Sequence, residues 1–522
     1  MITPDYLEYQ LNCLDVHKSL QESILKDIAR RMIKNPHKLT ETVEWQVQKL
    51  QEAGYLYSDI IRGLAKITGA LESEICFLFE DAQTEIFNYD DEVVVSSGKK
   101  AEEIKNISPK MKNIWNAATK KTVTEAINLT KTTANTSHSA YIRACDLAHM
   151  QVSSGAFDYV TAIRNGIKAA AKQGVTVTYP SGWKDTLDVA VRRSVLTGVN
   201  QTAGELQEMR AKEMNHDIME LTAHSGAREE HARWQGKLVS LSGKKGYLSL
   251  RDIGYGEPGG FKGINCRHNW HMYFKGMPRA YTDKELKDMQ NEKVVYNGQP
   301  IPVWKAREYQ RSLERGIKKN KRELIMCDEA RKYTDDKDLK AGLDIDFQNA
   351  AKKLKAREKN LKDFCRQTGL KYDSSRVQVF SAETEKGIRN WDKSIAQKAV
   401  AANKQALTKE RENDIIKEIK NVGIKGKVTL GTDNMDISAF TFDSSHINDE
   451  RTHNVTRSEA EQYVQEAKFI ERKWNGRYKN YYGYNGAVFI DTENNNIRTA
   501  FKKHEFTQNV KKALEVLKKY GR

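Results

Sequence analysis

Residues 223–237 read AHSGAREEHARWQGK, and residues 263–271 read GINCRHNWH. The two runs bring histidine, cysteine, tryptophan and glycine together between two regions of helical pattern. Trp234 and Trp270, with Tyr273 and Phe274, supply the large apolar side chains that a small core needs. We therefore expect this stretch to form a compact domain around which the rest of the chain is arranged.

The length and the charge of the chain limit its class. A chain of 522 residues is too long for one hydrophobic core, so we expect three or four domains. The formal net charge is +16 and the pI about 9.2, with lysine and arginine spread along the chain. This charge favours binding to polyanions, nucleic acid first, although long solvated helices explain part of it.

The composition predicts neither a membrane span nor export. No uninterrupted apolar run approaches the ~20 residues that a bilayer span needs. The mean hydropathy is −0.71, and Met1 to Asp5 lack a signal-peptide pattern. The cysteines lie far apart, which indicates a chain made in a reducing cytosol and not a disulfide scaffold. They are Cys13, Cys76, Cys145, Cys266, Cys327 and Cys365.

Shifts in sequence pattern predict a multidomain chain of four segments. Residues 1–174 have apolar positions at helical spacing and predict a mainly α N-terminal body. Residues 175–285 open with an alternating run and a Pro/Gly turn, and they predict a small α+β central domain. Residues 286–420 alternate charges of both signs and predict an exposed helical hairpin or stalk. Residues 421–522 predict a C-terminal α+β module that folds by itself.

Strand signals are clearest in the C-terminal segment. Apolar and β-branched runs occur at Val428–Leu430, Phe440–Phe442 and Ala487–Ile490, and the last is followed by a turn of polar residues. A final amphipathic helix is predicted from Thr507 to Lys519.

The central block contains side chains that zinc accepts as ligands. His224, His231, Cys266 and His268 are the candidates, and His271 follows closely. Because the spacing lacks paired CxxC knuckles, two interpretations stay open. Either these residues hold a zinc ion, or the imidazole rings and the thiol form hydrogen bonds inside a small core and the protein needs no cofactor.

The central motifs resemble the core of the phage minor capsid protein 2 family, which is similar to the Mu F-like, portal-associated head proteins. The resemblance covers about residues 1–370 and includes SLSGKKGY at 240–247, GINCRHNWHMYFKG at 263–276 and the helical lead-in LDVAVRRSVLTGVNQTAGELQ at 187–207. Glu229 stands where the family usually has a proline. The motif positions are taken by His224, Arg228, His231, Trp234, Gln235, Gly236, Cys266, Arg267 and His268.

This resemblance implies a shared structural core and not catalysis. It implies a protein made in the host cytoplasm and assembled into the virion near the portal, with a role in head assembly or genome delivery. The partners that it implies are portal and capsid proteins and the phage DNA.

The tail holds side chains suited to metal-independent cleavage of RNA. That reaction needs a base for the ribose 2′-OH, and His446 and His453 qualify because imidazole titrates near neutrality. It needs a cation for the phosphorane, which Arg451 or Arg457 supplies. A hydroxyl donor that fixes the scissile phosphate comes from Thr499.

Two tyrosines complete the predicted ribonuclease site. Tyr481 and Tyr482, if exposed, would stack on unpaired bases. The order of the tail residues is similar to the barnase–EndoU–colicin–RelE-like nuclease superfamily. That resemblance implies that His446, Arg451, Arg457 and Thr499 form the active site, with His453 as a second candidate for acid or base. It also implies RNA as the substrate and an immunity protein as a partner.

The sequence therefore favours a phage head protein that carries a C-terminal ribonuclease toxin. A second interpretation is a purely structural head protein whose tail binds DNA or another virion protein. A third is a zinc-dependent enzyme centred on Cys266.

Overall fold

The computed structural model describes residues 16–34, 42–98, 107–179, 181–379 and 393–521. Two compact units form, Met1–Val400 and Ala401–Arg522. The predicted class, a mainly helical multidomain chain with smaller α+β elements, is confirmed. The finer division of the chain at residues 174, 285 and 420 stays a prediction.

Long helices form the first part of the first unit. They are α1 (Val16–Met32), α2 (Thr42–Ser96), α3 (Pro109–Ser153), α4 (Tyr159–Gln173) and α5 (Leu187–Glu213). The apolar positions at helical spacing face inward: Phe79 on α2 and Trp115 on α3 are buried in edge-to-face contact, with ring centroids 5.3 Å apart. Helices α3 and α5 approach closely at Gly198, where a Cβ atom would lie 2.2 Å from Thr122 Oγ1. This helix contact therefore requires glycine.

A short hairpin connects the helical body to α5. Strand β1 (Thr176–Thr178) pairs antiparallel with β2 (Lys184–Thr186). Strand β1 falls on the alternating run that opens the predicted α+β segment. Thr186 is then the N-cap residue of α5.

The central block forms a three-stranded antiparallel sheet packed on α5. Its elements are β3 (Ile218–Leu221), the one-turn helix α6 (Glu229–Ala232), β4 (Leu238–Ser240) and β5 (Trp270–Met272), in the strand order β4-β3-β5. Trp234 and Trp270 are buried, and the Trp270 indole N–H donates to the Gly204 carbonyl of α5 at 3.0 Å. The expectation of a small core on these two tryptophans is confirmed.

The predicted stalk is a helical hairpin, but the structure corrects its predicted exposure. The segment contains α7 (Asp283–Asn291), β6 (Lys293–Tyr296), β7 (Gln299–Pro302), α8 (Val303–Tyr333), α9 (Lys337–Thr368) and α10 (Lys393–Asn421). Helix α8 packs on α1 and α4, and α9 packs on α4. Ile317, Leu324 and Phe347 are buried on the inner face. Charged residues lie between these apolar positions in the sequence. A buried helix face needs only about three apolar positions in seven, so the alternating charges did not indicate it.

The second unit is a six-stranded sheet covered on both faces. Its strands are β8 (Lys427–Leu430), β9 (Thr441–Phe442), β10 (Phe469–Lys473), β11 (Tyr478–Tyr482), β12 (Gly486–Asp491) and β13 (Asn496–Lys502). The strand order is β8-β10-β11-β12-β13-β9, antiparallel except for the parallel pair β13–β9. Its helices are α11 (Arg457–Gln465) and α12 (Gln508–Lys519). Three predictions are confirmed: the strands at Val428–Leu430 and Ala487–Ile490, and the last helix, which Thr507 caps.

Each face of this sheet has its own hydrophobic core. On one face, Tyr463 and Val464 of α11 pack with Ile470 and Val488. On the other face, residues of α12 and of the end of α10 pack with Phe469 and Tyr482. Two separate cores in one unit agree with a module that folds by itself.

Within the described ranges, no helix combines the length and the apolar character needed to cross a bilayer.

Replacing Asp346 with alanine tests the anchoring of the hairpin. Arg164 donates two hydrogen bonds to the buried Asp346 carboxylate at 2.7 and 2.8 Å, and Lys168 lies 2.7 Å from it. For Asp346→Ala we expect the free energy of unfolding to fall by about 2 kcal/mol, below the ~3–5 kcal/mol of a fully buried pair because Arg164 is partly solvated. Urea unfolding followed by circular dichroism measures the change. Asp363→Ala removes an exposed ion pair on the same helix, so an equal effect of that control would contradict the prediction.

Candidate functional site

The central cluster is built from α6 and from the segment that enters β5. His231 lies in α6, and Gln235 follows in the turn after this helix. Cys266 and His268 lie just before β5. Because β3 pairs with both β4 and β5, the sheet brings these two distant parts of the sequence to the same place.

Two imidazole nitrogens and one thiol meet in the cluster. His231 Nδ1 lies 3.3 Å from His268 Nδ1, and Cys266 Sγ lies 3.8 Å from His268 Nδ1. One potential ligand atom from each of these residues lies within 4.8 Å of the other two. All three side chains are buried, with exposed fractions of 3%, 6% and 1% for His231, Cys266 and His268.

The other nitrogen of each ring points at an oxygen. His231 Nε2 lies 2.9 Å from the Gly259 carbonyl oxygen, and His268 Nε2 lies 3.1 Å from Gln235 Oε1. Burial lowers the pKa of both histidines, and burial raises the pKa of the Cys266 thiol. The imidazole rings are therefore neutral at pH 7.

Aromatic rings enclose the cluster. The His224 ring stacks on His268 with centroids 4.5 Å apart, and Trp234 contacts His268 at 4.8 Å. His224 Nδ1 itself lies 3.1 Å from the Ser225 carbonyl oxygen, so His224 packs against the cluster and does not contribute to it. His271 lies outside the cluster, 3.6 Å from the buried Glu220 carboxylate.

A buried lysine next to the cluster was not predicted from the sequence. The Lys262 ammonium contacts the carbonyl oxygen and Oδ1 of Asn200 at 2.7 and 3.2 Å, and Asn269 Oδ1 at 2.6 Å. Burial lowers the pKa of Lys262 to about 7. A Cβ atom on residue 204 would lie 2.3 Å from Lys262 Cε, so Gly204 leaves the space that the lysine occupies.

The remaining motif residues have structural positions. Arg228 is at the N-cap of α6, and its guanidinium donates to the Ile264 carbonyl at 3.3 Å. Gly236 adopts a φ of 68°, in the region that favours glycine. Arg267 is half-buried between the two cluster residues Cys266 and His268. The motif thus surrounds one core.

The second candidate site is a closed loop at the edge of the C-terminal sheet. The Asn448 side chain accepts from the Val455 backbone N–H at 2.9 Å and donates to the Val455 carbonyl at 3.0 Å. His446 lies in a π-helical turn, Ser445–Glu450, at the start of this loop. Thr452 and Asn454, on either side of His453, have φ values of 54° and 53°. A β-branched residue rarely adopts such a φ, so the backbone at Thr452 is strained.

His453 is held by a carboxylate that the sequence did not indicate. His453 Nδ1 lies 2.6 Å from Glu505 Oε2, a contact between residues 52 apart in the chain. The His453 ring also contacts Phe501 of β13, with centroids 5.6 Å apart. No spacing rule in the sequence connects His453 to Glu505, because only the return of β13 brings them together.

The other predicted ribonuclease residues have varied surroundings. His446 Nδ1 lies 2.7 Å from Glu450, and Arg451 is exposed at the end of the π-helical turn. Arg457 donates to the carbonyls of Ser438 and Phe440 and pairs with Glu461, so its guanidinium has a structural role. Thr499 is 7% exposed on β13, and its Oγ1 has no hydrogen-bond partner among the described residues.

The structure corrects the prediction that Tyr481 and Tyr482 stack on bases. Both side chains are buried, one in each core of the sheet. The Tyr481 hydroxyl donates to Asp433 at 2.7 Å, and the Tyr482 hydroxyl donates to Glu471 at 3.3 Å. These rings are closed off from a nucleic acid, because a sheet covered on both faces buries successive residues of a strand.

Comparison with known proteins connects the first unit to one family. The family described as Phage minor capsid protein 2 matches residues 2–366. A protein named "Structural protein" of Lactococcus phage LL-H is 24% identical over 297 residues, which cover 54% of this chain and 77% of that protein. No solved structure matches the chain.

The family match contains the whole central cluster and ends before the second unit begins. The resemblance inferred from the His, Trp and Cys motifs is therefore confirmed for the first unit. The chain belongs to the phage minor capsid protein 2 family, whose members are structural proteins of the virion.

Proposed function

We propose that this minor capsid protein carries a metal-independent ribonuclease in its second unit. The observation that supports the proposal is the contact between His453 Nδ1 and the Glu505 carboxylate at 2.6 Å. A carboxylate accepts, so Nδ1 carries the proton and Nε2 keeps a free lone pair. An imidazole oriented in this way is ready to remove a proton from a ribose 2′-OH.

Exposure and strain also support His453 as the base. Its side chain keeps 16% of its surface exposed, so the ring is not closed off from solvent. Thr452 and Asn454 adopt left-handed backbone conformations that set the direction of this side chain. Strained residues of this kind occur where function requires one orientation.

Two further groups fit the proposed reaction. The exposed Arg451 guanidinium lies two residues from His453 and suits a phosphate or a phosphorane. Thr499 lies two residues from Phe501 on the same face of β13, about 7 Å along the strand. The Thr499 Oγ1 atom is buried and has no hydrogen-bond partner among the described residues, so a phosphate would reach it only if the neighbouring side chains moved. In this proposal, His446 and Arg457 shape the loop.

We also propose that the first unit acts near the portal in head assembly or genome delivery. Membership of the minor capsid family and the net charge of +16 support this position. The portal and other capsid proteins are then neighbours in the particle. Chemical cross-linking of intact virions should give cross-links between this chain and the portal. Cross-links to the tail or to distant capsid faces alone would contradict the proposal.

Mutation of His453 tests the ribonuclease. Residues 401–522 form a unit with its own cores, so the unit is produced alone beside the full chain. We expect expression to arrest growth, and the purified unit to cleave total RNA in the presence of chelator. For His453→Ala we expect cleavage to fall by about 10²–10⁴-fold, the usual contribution of a general base. Electrophoresis of the RNA measures the loss.

A neighbouring histidine supplies the control. His504→Ala removes an exposed imidazole from the turn that holds Glu505, and we expect it to leave cleavage unchanged. Glu505→Gln should give an intermediate loss, because the amide still contacts the ring but carries no charge. A harmless unit without activity on RNA would instead support a binding domain for DNA or another virion protein.

The positive charge predicts direct contact with the phage DNA. Each phosphate that a lysine or arginine neutralises releases counterions, so the logarithm of the affinity should fall linearly with the logarithm of salt concentration, by about 0.9 per contact. Retention of the full chain on double-stranded DNA, measured at several salt concentrations, gives this slope. Poly-glutamate serves as the polyanion control. Retention that is independent of salt would rule out a phosphate interface.

A further inference from the structure

We propose that His231, Cys266 and His268 bind one zinc ion that fixes the central domain of the first unit. The inference does not depend on the ribonuclease, because every residue that it uses lies in the other unit.

The hydrogen bonds determine which nitrogen of each ring carries a proton. A carbonyl oxygen only accepts, so His231 Nε2, at 2.9 Å from the Gly259 oxygen, is the donor. Gln235 Oε1 accepts from the His224 backbone N–H at 3.2 Å, which identifies this atom as the amide oxygen. His268 Nε2, at 3.1 Å from the same oxygen, is therefore also a donor.

Both Nδ1 atoms are consequently acceptors, and they face each other at 3.3 Å. Two lone pairs at this distance repel each other unless a cation or a proton lies between them. The Cys266 thiol, 3.8 Å from His268 Nδ1, has one proton and leaves His231 Nδ1 without a donor. A metal ion satisfies all three atoms.

The distances fit tetrahedral zinc. Zinc binds imidazole nitrogen at about 2.0–2.1 Å and thiolate sulfur at about 2.3 Å, so tetrahedral ligands lie about 3.3 Å apart for two nitrogens and about 3.6 Å apart for nitrogen and sulfur. The observed separations are 3.3 and 3.8 Å, and the third lies within 4.8 Å. Zinc binding requires the third separation, between His231 and Cys266, to shorten by up to about 1 Å.

The surrounding groups have the roles expected around a metal site. The Gly259 carbonyl and the Gln235 amide each accept the second N–H of a ligating histidine, which is the usual way that ring orientation and tautomer are fixed. Zinc would replace the thiol proton, which passes to solvent. The ion and the thiolate add one positive charge.

The ion would fix a long loop. Residues 241–269, all of which the structure describes, contain no helix and only one β-bridge, at Leu248. One ligand lies before this segment and two lie at its end, so zinc ties the loop to α6. The three ligands are buried under the rings of His224 and Trp234. This burial favours a structural ion over a catalytic one that substrate must reach.

Metal analysis of the full chain tests the proposal. After growth with zinc and extensive dialysis, we expect about one zinc per chain by plasma mass spectrometry, and less than a tenth of that in Cys266→Ser and in His268→Gln. Cys365→Ser and His271→Gln remove a buried thiol and a buried imidazole outside the cluster, and they should keep the metal. Zinc retained in both ligand variants would overturn the site.

A second measurement uses the wild-type chain, in case the ligand variants do not fold. Removal of zinc by a chelator should lower the melting temperature of the first unit, and Zn²⁺ but not Mg²⁺ should restore it. Replacement with Co²⁺ should give a thiolate-to-cobalt absorption band and the strong visible bands of tetrahedral cobalt. A wild-type chain that takes up neither ion stoichiometrically would overturn the proposal.

Discussion

The central domain depends on hydrogen bonds among polar side chains that are shut away from water. Lys262, Asn200 and Asn269 form one group, and His268 and Gln235 belong to a second. A buried polar group without a partner costs about 1–3 kcal/mol, so a loop conformation that supplies these partners is strongly favoured. A segment with almost no regular secondary structure can therefore have a single conformation. The apolar contacts of Trp234 and Trp270 supply most of the cohesion, and the polar groups determine which conformation is adopted.

The two units differ in how their polar side chains are used. In the first unit the motif residues are used up by internal contacts, which suits a protein whose function is to be a rigid part of a particle. In the second unit, the loop around His453 is closed by Asn448 but leaves the imidazole edge and Arg451 open. The family match ends before the second unit, so the family says nothing about the chemistry of that unit.

Local sequence patterns predicted much of the fold but only some of the site residues. Helical spacing and the alternating run at Val175–Thr178 have direct structural meaning, because each pattern reports which side of an element is buried. Tyr481 and Tyr482 were misjudged, because a polar and aromatic strand looks half-exposed until helices are known to cover both faces. The contacts of Lys262 with Asn200 and of His453 with Glu505 join residues 62 and 52 positions apart, and no local pattern reports such contacts.

The two histidine sites differ in the partner of Nδ1, and this difference decides the chemistry of each. In His453 the Nδ1–H faces a carboxylate, so the free lone pair is on Nε2 of a partly exposed ring. In His231 and His268 the protonated nitrogen is Nε2, held by a carbonyl and an amide, so the free lone pairs point inward at each other and at a thiol. A lone pair that solvent can reach suits proton transfer, whereas lone pairs that converge in a buried core suit a metal ion. The sequence contains the same residue type at both places, and our proposals of proton transfer for one and metal binding for the other rest on the different hydrogen-bond partners.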